Sequence, residues 1–544
     1  MVGVWVMSWL KELVTQMRTP PQSLPLAPDQ VPNSAGGYAW ALDDWARLRR
    51  WLVLGSEGGS YYAGQRELTL ANIAALSACL AEDGPRAVAE IVAISEAGRA
   101  PKNDPAVFAL AAAAGATDEA TRAAALAALP RVCRTGTHLF QFVTFVEAFR
   151  GWGRGLRRAV GRWYADRPAD ELAYQLVKYR QRDGVTHRDV LRLAHPAAAV
   201  SAGNPTVALG DAQRAALAWA AGKPGAGPLP RLIEGYERVQ AAGSDGEAAA
   251  LVREYRLPRE ALPTERLTSP LVWEALLADM PMTAMIRNLA TLTRVGLLVP
   301  GSDALRTVVE RLGDGERLRH SRVHPVGVLA ALVTYAGGEG ARSAATWTPV
   351  PQVVDALDGA FYAAFGNVQP MGRRTLLALD VSSSMSQGTI AGIPGLTPRV
   401  AAAAMALVTA RTEPDYMVMA FATQFIPLAL SPRQRLDDVV ALTAGLPFGG
   451  TDCAQPMLHA REAKLAVDAF VVYTDSETWA GAIHPATALA RYREATGIPA
   501  RLAVVGMVSN AFTIADPADP GMLDVVGFDT ATPALLADFL RGDV

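Results

Sequence analysis

Apolar residues change their spacing once along this 544-residue chain, near Gly372, and that change limits the possible folds more than any other feature. Before it the pattern is helical. Leu68–Leu80 places Leu70, Ile73, Leu76 and Leu80 on one face at spacings of three and four, as an amphipathic helix requires. Further amphipathic stretches follow at Ala87–Ala97, Pro105–Ala114, Asp118–Leu129, Leu139–Phe149, Leu156–Tyr164 and Ala169–Tyr179, separated by Gly, Pro and polar turns. Alanine-rich runs such as Ala123–Leu129 and Ala248–Leu251 also favour helix. Many helices of about 10–15 residues with short turns predict an antiparallel helical-repeat array over residues 38–365, with no strict repeat period visible.

After Gly372 short apolar runs alternate with helical segments. Thr375–Asp380, Tyr416–Phe421, Ala469–Thr474 and Leu502–Val505 read as strands. Thr397–Ala410, Asp437–Ala444, Ala454–Lys464 and Ala486–Thr496 read as helices. Such alternation predicts a doubly wound α/β domain with a mostly parallel sheet over residues 366–544. Ligands of such sheets bind beyond the carboxyl ends of the strands.

Residues 1–37 read as an extension and a linker. Met1–Leu10 is apolar with two tryptophans, but it lacks a basic start and is too short to span a bilayer. Thr19-Pro20-Pro21, Pro25, Pro28, Pro32 and Gly36-Gly37 exclude regular helix over 18–37, so the ordered body is expected from Tyr38. No later segment has 18 uninterrupted apolar residues, so no membrane association is expected.

Half of the residues are apolar and 19% are charged, which excludes wholesale disorder. A net charge of −2 means that any nucleic-acid site must be a local patch. Cys79, Cys133 and Cys453 are far apart and form no metal-ligand spacing. Free thiols in a reducing compartment, the cytoplasm, are the simplest expectation.

Three oxygen-rich clusters punctuate the α/β domain. Asp380-Val381-Ser382-Ser383-Ser384 follows the first strand, Gly449-Gly450-Thr451-Asp452 precedes a helix, and Asp475-Ser476-Glu477 follows the strand Ala469–Thr474. A lone D-x-S-x-S is also what a turn and helix cap look like. Three clusters in order on a parallel-sheet pattern point instead to one site at one sheet edge. Its ligands would all be hard oxygens, which suits Mg²⁺ or another hard divalent ion rather than zinc. With few charged ligands the ion stays electrophilic, so a partner carboxylate can fill a vacant position. The arrangement resembles the metal-ion-dependent adhesion site of von Willebrand A-type domains. That resemblance implies coordination by Ser382, Ser384 and Thr451, with Asp380 and Asp475 acting directly or through water.

Residues 131–195 hold thirteen basic residues against six acids, a net of +7 in a slightly acidic chain. Twelve of the thirteen are Arg, which binds phosphate bidentately and stacks on bases. His138, His187 and His195, with Phe140, Phe142, Trp152, Trp163 and Tyr179, offer stacking surfaces. A solvated helix face with aromatics in the core looks the same in sequence, so this segment alone does not establish RNA binding.

Ordered stretches along the chain resemble signatures of the Ro (TROVE) family. They are Gly55-Ser56-Glu57-Gly58-Gly59-Ser60-Tyr61-Tyr62, Gly98-Arg99-Ala100-Pro101-Lys102, Thr137-His138-Leu139-Phe140, Gly151-Trp152-Gly153-Arg154, Lys178-Tyr179-Arg180-Gln181-Arg182 and His187-Arg188-Asp189. Met280-Pro281, Arg287-Asn288-Leu289, His324-Pro325, Gly449–Cys453, Thr474–Thr478 and Phe512–Pro517 continue the series. The resemblance implies a TROVE ring of HEAT-like helices closed by a von Willebrand A-type domain. It implies a ribonucleoprotein in which single-stranded 3′ ends of misfolded or unprocessed noncoding RNA enter the central hole. Small structured Y RNAs would bind the basic outer surface and tether a partner such as a 3′ exonuclease. On matching positions Lys178, Arg182 and His195 would contact Y RNA. Arg134 and His138 are further candidates from local chemistry.

Two other functions compete. One is a metal-dependent protein-interaction scaffold that captures an acidic partner. The other is an enzyme. Nuclease chemistry needs several carboxylates around metal ions, whereas hydroxyls dominate here. No nucleophile-elbow, Walker or zinc-protease motif is present. His459, His484 and His324 read as structural, and no intrinsic catalysis is expected.

Overall fold

In a computed structural model of the chain, the described residues are 20–56, 65–195, 209–223, 227–321, 323–340, 344–365, 370–390, 396–446, 449–527 and 532–542. The apolar Met1–Leu10 stretch and the Glu57–Tyr62 part of the first family signature lie outside them. The chain divides into two compact units. One combines the residues up to Ala75 with those from Phe365 onward, and the other is Leu76–Ala364. Among the described residues, no helix is long and apolar enough to cross a membrane.

The first unit opens with β1 (Gln30–Pro32), β2 (Tyr38–Ala41) and α1 (Asp44–Leu54). The prolines do exclude helix from this stretch, but they leave extended structure open, and β1 pairs antiparallel with β2. The order therefore begins well before Tyr38: Gln22, Gln30 and Asn33 are all buried. The boundary drawn at residues 37 and 38 from the prolines falls inside this unit. Asp43 starts α1 by accepting the Ala46 N–H at 2.6 Å, a standard N-cap.

The second unit is helical. Helix α2 (Gln65–Ala97) carries the division between units and is broken at Asp83, where φ is −152° and ψ 85°, just before Pro85. The two helices read from sequence at Leu68–Leu80 and Ala87–Ala97 are its two arms. There follow α3 (Asp104–Gly115), α4 (Glu119–Val132), α5 (Gly136–Phe149), α6 (Arg154–Ala165) and α7 (Ala169–Lys178). A two-stranded hairpin, β3 (Gln181–Arg182) with β4 (Val185–Thr186), leads into α8 (His187–Ala194). Then come α9 (Asp211–Ala220), α10 (Arg231–Gln240), α11 (Asp245–Tyr255), α12 (Pro270–Asp279) and α13 (Met282–Arg294). The unit ends with α14 (Asp303–Gly313), α15 (Gly315–His320), α16 (Pro325–Gly337) and α17 (Pro351–Ala363). Helices pack against near neighbours in the chain, as in a repeat array. The unit also closes on itself. His324 Nε2 lies 2.8 Å from the Arg99 carbonyl, 225 residues away, and His324 Nδ1 accepts the Val326 N–H at 3.1 Å. His324 is thus structural, as expected.

The rest of the first unit is the α/β domain. Its strands are β5 (Thr375–Asp380), β6 (Tyr416–Phe421), β7 (Phe425–Pro427), β8 (Ala469–Thr474), β9 (Arg501–Gly506), β10 (Phe512–Thr513) and β11 (Met522–Val526). Its helices are α18 (Pro398–Thr412), α19 (Leu436–Ala444), α20 (Gln455–Glu462), α21 (Pro485–Thr496) and α22 (Thr532–Arg541). The six-stranded sheet runs β11-β9-β8-β5-β6-β7 and is parallel except for β7. Every residue of β5 and β8 is buried, because central parallel strands are covered on both faces. The α/β expectation therefore holds, with an antiparallel edge hairpin and a sixth strand that the apolar runs did not announce. β10 leaves this sheet and extends the N-terminal pair, with Thr513 opposite Trp40.

Candidate functional site

The chain order of the sheet reverses at its centre. β5 pairs with β6 on one side and β8 on the other, so a crevice is expected past the carboxyl ends of β5 and β8. Asp380 ends β5 and Asp475 follows β8. Asp380 Oδ1 accepts the Ser382 N–H at 2.9 Å, and Oδ2 accepts the Thr474 hydroxyl at 2.6 Å. The Ser382 and Ser384 hydroxyls are 2.9 Å apart, and Ser384 also hydrogen-bonds to Asp475. The Thr451 carbonyl accepts the N–H groups of Trp479 and Ala480, each at 3.0 Å. All five expected ligands are buried, and these bonds join the three loops. Gly449-Gly450 permits the approach. A Cβ on Gly450 would lie 2.6 Å from the Trp479 ring, and one on Gly449 2.5 Å from the Thr423 hydroxyl.

The electrostatics suit a cation. Burial raises the Asp380 carboxyl above the usual carboxylate range, against hydrogen bonds from Ser382 and Thr474 that lower it. Burial raises Asp475 still more, and the charges of Asp380 and Glu477 add to it. A divalent ion would relieve both the desolvation and the repulsion of these carboxylates. Two carboxylates and three hydroxyls make a hard-oxygen set that fits Mg²⁺. Among the described residues no cluster of three or more His, Cys, Asp or Glu is placed to hold a metal ion. On the far side of the first loop the buried Arg399 guanidinium donates to the carbonyls of Val381, Ser382 and Thr443.

The acids beside the ligands are occupied elsewhere. Glu477 accepts the N–H groups of Ser34 (2.7 Å) and Ala35 (3.2 Å) and the Asn510 amide (3.3 Å). Asp452 accepts Gln22 Nε2 at 2.8 Å. Sequence reasoning missed Gln22, Asn33 and Asn510 as neighbours of this site. The prolines around the first two suggested a linker, and nothing local marks the third. His484 Nε2 meets the Leu24 carbonyl at 2.8 Å, and His459 packs on Phe425. Both are structural, as expected. All three cysteines are buried thiols outside any disulfide.

In the helical unit the five candidate RNA contacts do not share one site. Lys178 ends α7, donates to the Tyr174 hydroxyl at 2.7 Å and lies over the Tyr174 and Tyr179 rings at 5.0 and 5.5 Å. It lines a cleft of about 780 Å³ with Arg180, Arg188, Trp219, Tyr236, Glu237 and others. Arg180 sits over the Tyr236 ring at 4.7 Å. Arg182 is exposed on the hairpin and pairs loosely with Asp183 at 3.2 Å. His195 is exposed at the end of α8, with a φ of 46°. Arg134 and His138 line a different cleft, of about 340 Å³, with Lys102, Arg287 and His324. There Arg134 donates to Ser95 Oγ at 3.0 Å and to the Arg131 carbonyl at 2.8 Å. Burial and the Arg134 charge push His138 down to about 4, so at neutral pH it offers an uncharged ring.

The aromatics divide between core and surface. Phe140, Phe142 and Trp163 are core, and so is His187, which meets the Tyr164 hydroxyl at 2.9 Å and packs on Phe140. In α6, Leu156, Val160, Trp163 and Tyr164 face inward while Arg154, Arg157, Arg158 and Arg162 face water. The half-buried rings that remain near the basic residues are Tyr174, Tyr179 and Trp219, the last outside the basic segment, whereas Tyr236 is buried beneath Arg180.

The domains found by comparison with known proteins follow chain order, the first of them beginning inside the first compact unit. Residues 31–218 and 254–334 match the TROVE domain, and residues 374–540 match the Ro60 vWA domain. The chain is 45% identical over 527 residues to the RNA-binding protein RO60 of Deinococcus radiodurans, covering 96% of this chain and 98% of the relative. It is 35% identical to the RNA-binding protein RO60 of Caenorhabditis elegans, covering 97% and 92% of the two chains. The crystal structure of the Deinococcus radiodurans Ro (RSR) protein superposes with a TM-score of 0.68, over 92% of this chain and 100% of that one. With a self-closing helical unit, a doubly wound α/β domain and identity along almost its whole length, the chain belongs to the Ro60 family of TROVE and vWA domain proteins.

Proposed function

We propose that this protein binds RNA without catalysis of its own, taking structured Y RNA on the basic face near Lys178 and the single-stranded 3′ ends of misfolded or unprocessed noncoding RNA in the opening of the helical ring. The observation that carries this reading is the cleft of about 780 Å³ that sets Lys178, Arg180 and Arg188 beside the half-buried Trp219 ring. Guanidinium and ammonium groups neutralise phosphate, and exposed rings stack on unpaired bases. An opening passes a flexible single strand and rejects a duplex on width, which selects accessible ends with little base readout. The two relatives named as RNA-binding proteins support the RNA-binding part of this reading. It places the protein in RNA quality control in the cytoplasm, with a 3′ exonuclease as a partner tethered through the Y RNA.

The test uses filter binding of a structured RNA with a single-stranded 3′ tail, across a salt series. Lys178→Ala with Arg182→Ala should weaken binding and reduce the slope of log affinity against log salt by about 1.5, roughly 0.7–0.9 for each phosphate that is no longer neutralised. Unchanged affinity and slope would place the RNA elsewhere. Loss of intact RNA on incubation with pure protein and Mg²⁺ would overturn the non-catalytic reading.

In the α/β domain, Ser382, Ser384, Thr451, Asp380 and Asp475 would hold Mg²⁺, which when bound supplies an electrophilic coordination position for an oxygen ligand. A second reading, capture of an acidic protein partner there, has its own support. Residues 375–398, 446–460 and 465–490, which include all three loops, contain no Lys or Arg. Loops that carry no cation of their own suit one carboxylate better than a polyphosphate backbone. Trp479, 44% exposed and packed over Gly450, adds an apolar contact beside it.

A further inference from the structure

The loops of the proposed metal site are tied together by a residue from the other end of the chain. Gln22 is fully buried. Its Nε2 donates to Asp452 Oδ1 and to the Ile483 carbonyl, both at 2.8 Å, and its Oε1 accepts the Thr478 hydroxyl. Asp452 adjoins Thr451, and Thr478 is three residues past Asp475. One amide thus bridges the loop that carries Thr451 and the loop that carries Asp475. The backbone of Gln22 is held as firmly, its N–H donating to Gly481 at 3.0 Å and its carbonyl accepting Tyr38 at 2.9 Å. Gly481 has no room for a side chain, because a Cβ would lie 2.2 Å from Gln22 Nε2.

The segment that follows continues the attachment. Asn33 Nδ2 donates to the Thr478 carbonyl at 2.7 Å, and a Cβ on Gly37 would lie 1.9 Å from that same oxygen. The N–H groups of Ser34 and Ala35 hold the Glu477 carboxylate. A buried amide with its donors and acceptor satisfied at fixed positions specifies geometry, since any shift of either loop leaves a polar atom unpaired.

We infer that Gln22 is a positioning residue of the metal site, setting the separation of the Thr451 and Asp475 loops and so the affinity for a divalent ion. The inference rests on the proposed metal site. Residues that orient metal ligands from behind typically contribute about 10–100-fold in affinity. Gln22→Met keeps length and packing but removes all three side-chain hydrogen bonds.

The test is Mn²⁺ titration of the full-length protein by calorimetry, with unfolding followed in EDTA and in Mn²⁺. Wild type should bind one ion. Gln22→Met should bind it at least about tenfold more weakly, with a smaller stabilisation by Mn²⁺. Thr478→Val, which removes the other end of the bridge, should do the same, and it serves if Gln22→Met does not fold. Val53→Ala, a core change in α1, should lower stability and leave Mn²⁺ affinity alone. If wild type binds Mn²⁺ and both bridge variants bind it equally well, or if Val53→Ala weakens binding as much as they do, Gln22 is structural only. If wild type binds no divalent ion, the metal reading itself fails and takes this inference with it.

Discussion

At the scale of single residues, the same residue type serves opposite ends according to burial. Arg182 is exposed on its hairpin and available to phosphate, whereas the Arg50 side chain is 1% exposed and bonded to Asp524 on β11 at 2.6 Å. His195 lies in water, but His187 is buried and pushed down to about 4 by that burial. Its folded value lies below the unfolded value, so between them the folded state holds fewer protons. The stabilising contribution of neutral His187 is therefore complete above about pH 6.5 and is lost as the pH falls towards 4, by roughly 3 kcal/mol. Denaturant unfolding from pH 7.5 to 4.5 checks this. The wild type should lose stability with acid, and His187→Gln, though weaker at pH 7.5, should lose less. Parallel profiles would assign the acid sensitivity to other groups.

At the scale of elements, short connections place the chemistry. The hairpin between α7 and α8 turns on Asp183-Gly184, with φ of 49° and 83°, the pair of positive values that a two-residue turn of this hand needs. This turn presents Arg182. A Cβ on Gly184 meets nothing within 4 Å, so Gly184→Ala acts through backbone strain alone, about 1 kcal/mol. RNA affinity should fall by severalfold while the global unfolding midpoint falls by no more than about 2–4 °C. An unchanged affinity would show that the hairpin does not present an RNA contact. The loops at the ends of β5 and β8 follow the same logic in the sheet, where two fully buried strands fix the carboxylates that end or follow them.

At the scale of the whole molecule, the division into units does not follow the order of the chain. β2 pairs with β10, and Arg50 in α1 reaches Asp524, Asn510 and the Phe512 carbonyl. Asn510 in turn donates to the Asp475 carbonyl at 2.7 Å. Residues 366–544 expressed alone lack these partners. Removing one side of a buried ion pair costs about 3–5 kcal/mol, and the freed sheet edge adds to that. The fragment should unfold at least about 10 °C below a protein that retains residues 20–75, on the scaling of roughly 2–4 °C per kcal/mol for a domain of this size. Equal midpoints would mean that the N-terminal segment is decoration.

Sequence by itself determined what depends on neighbours a few residues apart. Strands Thr375–Asp380, Tyr416–Phe421 and Ala469–Thr474 could be bounded residue by residue, because strands buried along all or most of their length read as near-continuous apolar runs. The oxygen clusters at their ends were legible for the same reason, each being local. The tertiary structure alone decided what depends on distant partners. Gln22 and Thr478 are separated by 456 positions, and no periodicity links them. Whether Trp163 is core and Trp219 a platform is equally invisible in composition, since both rings are apolar and only packing assigns one to the interior. The prolines before Tyr38 state that the chain is extended there, and only the surface it meets turns that extended segment into part of a site.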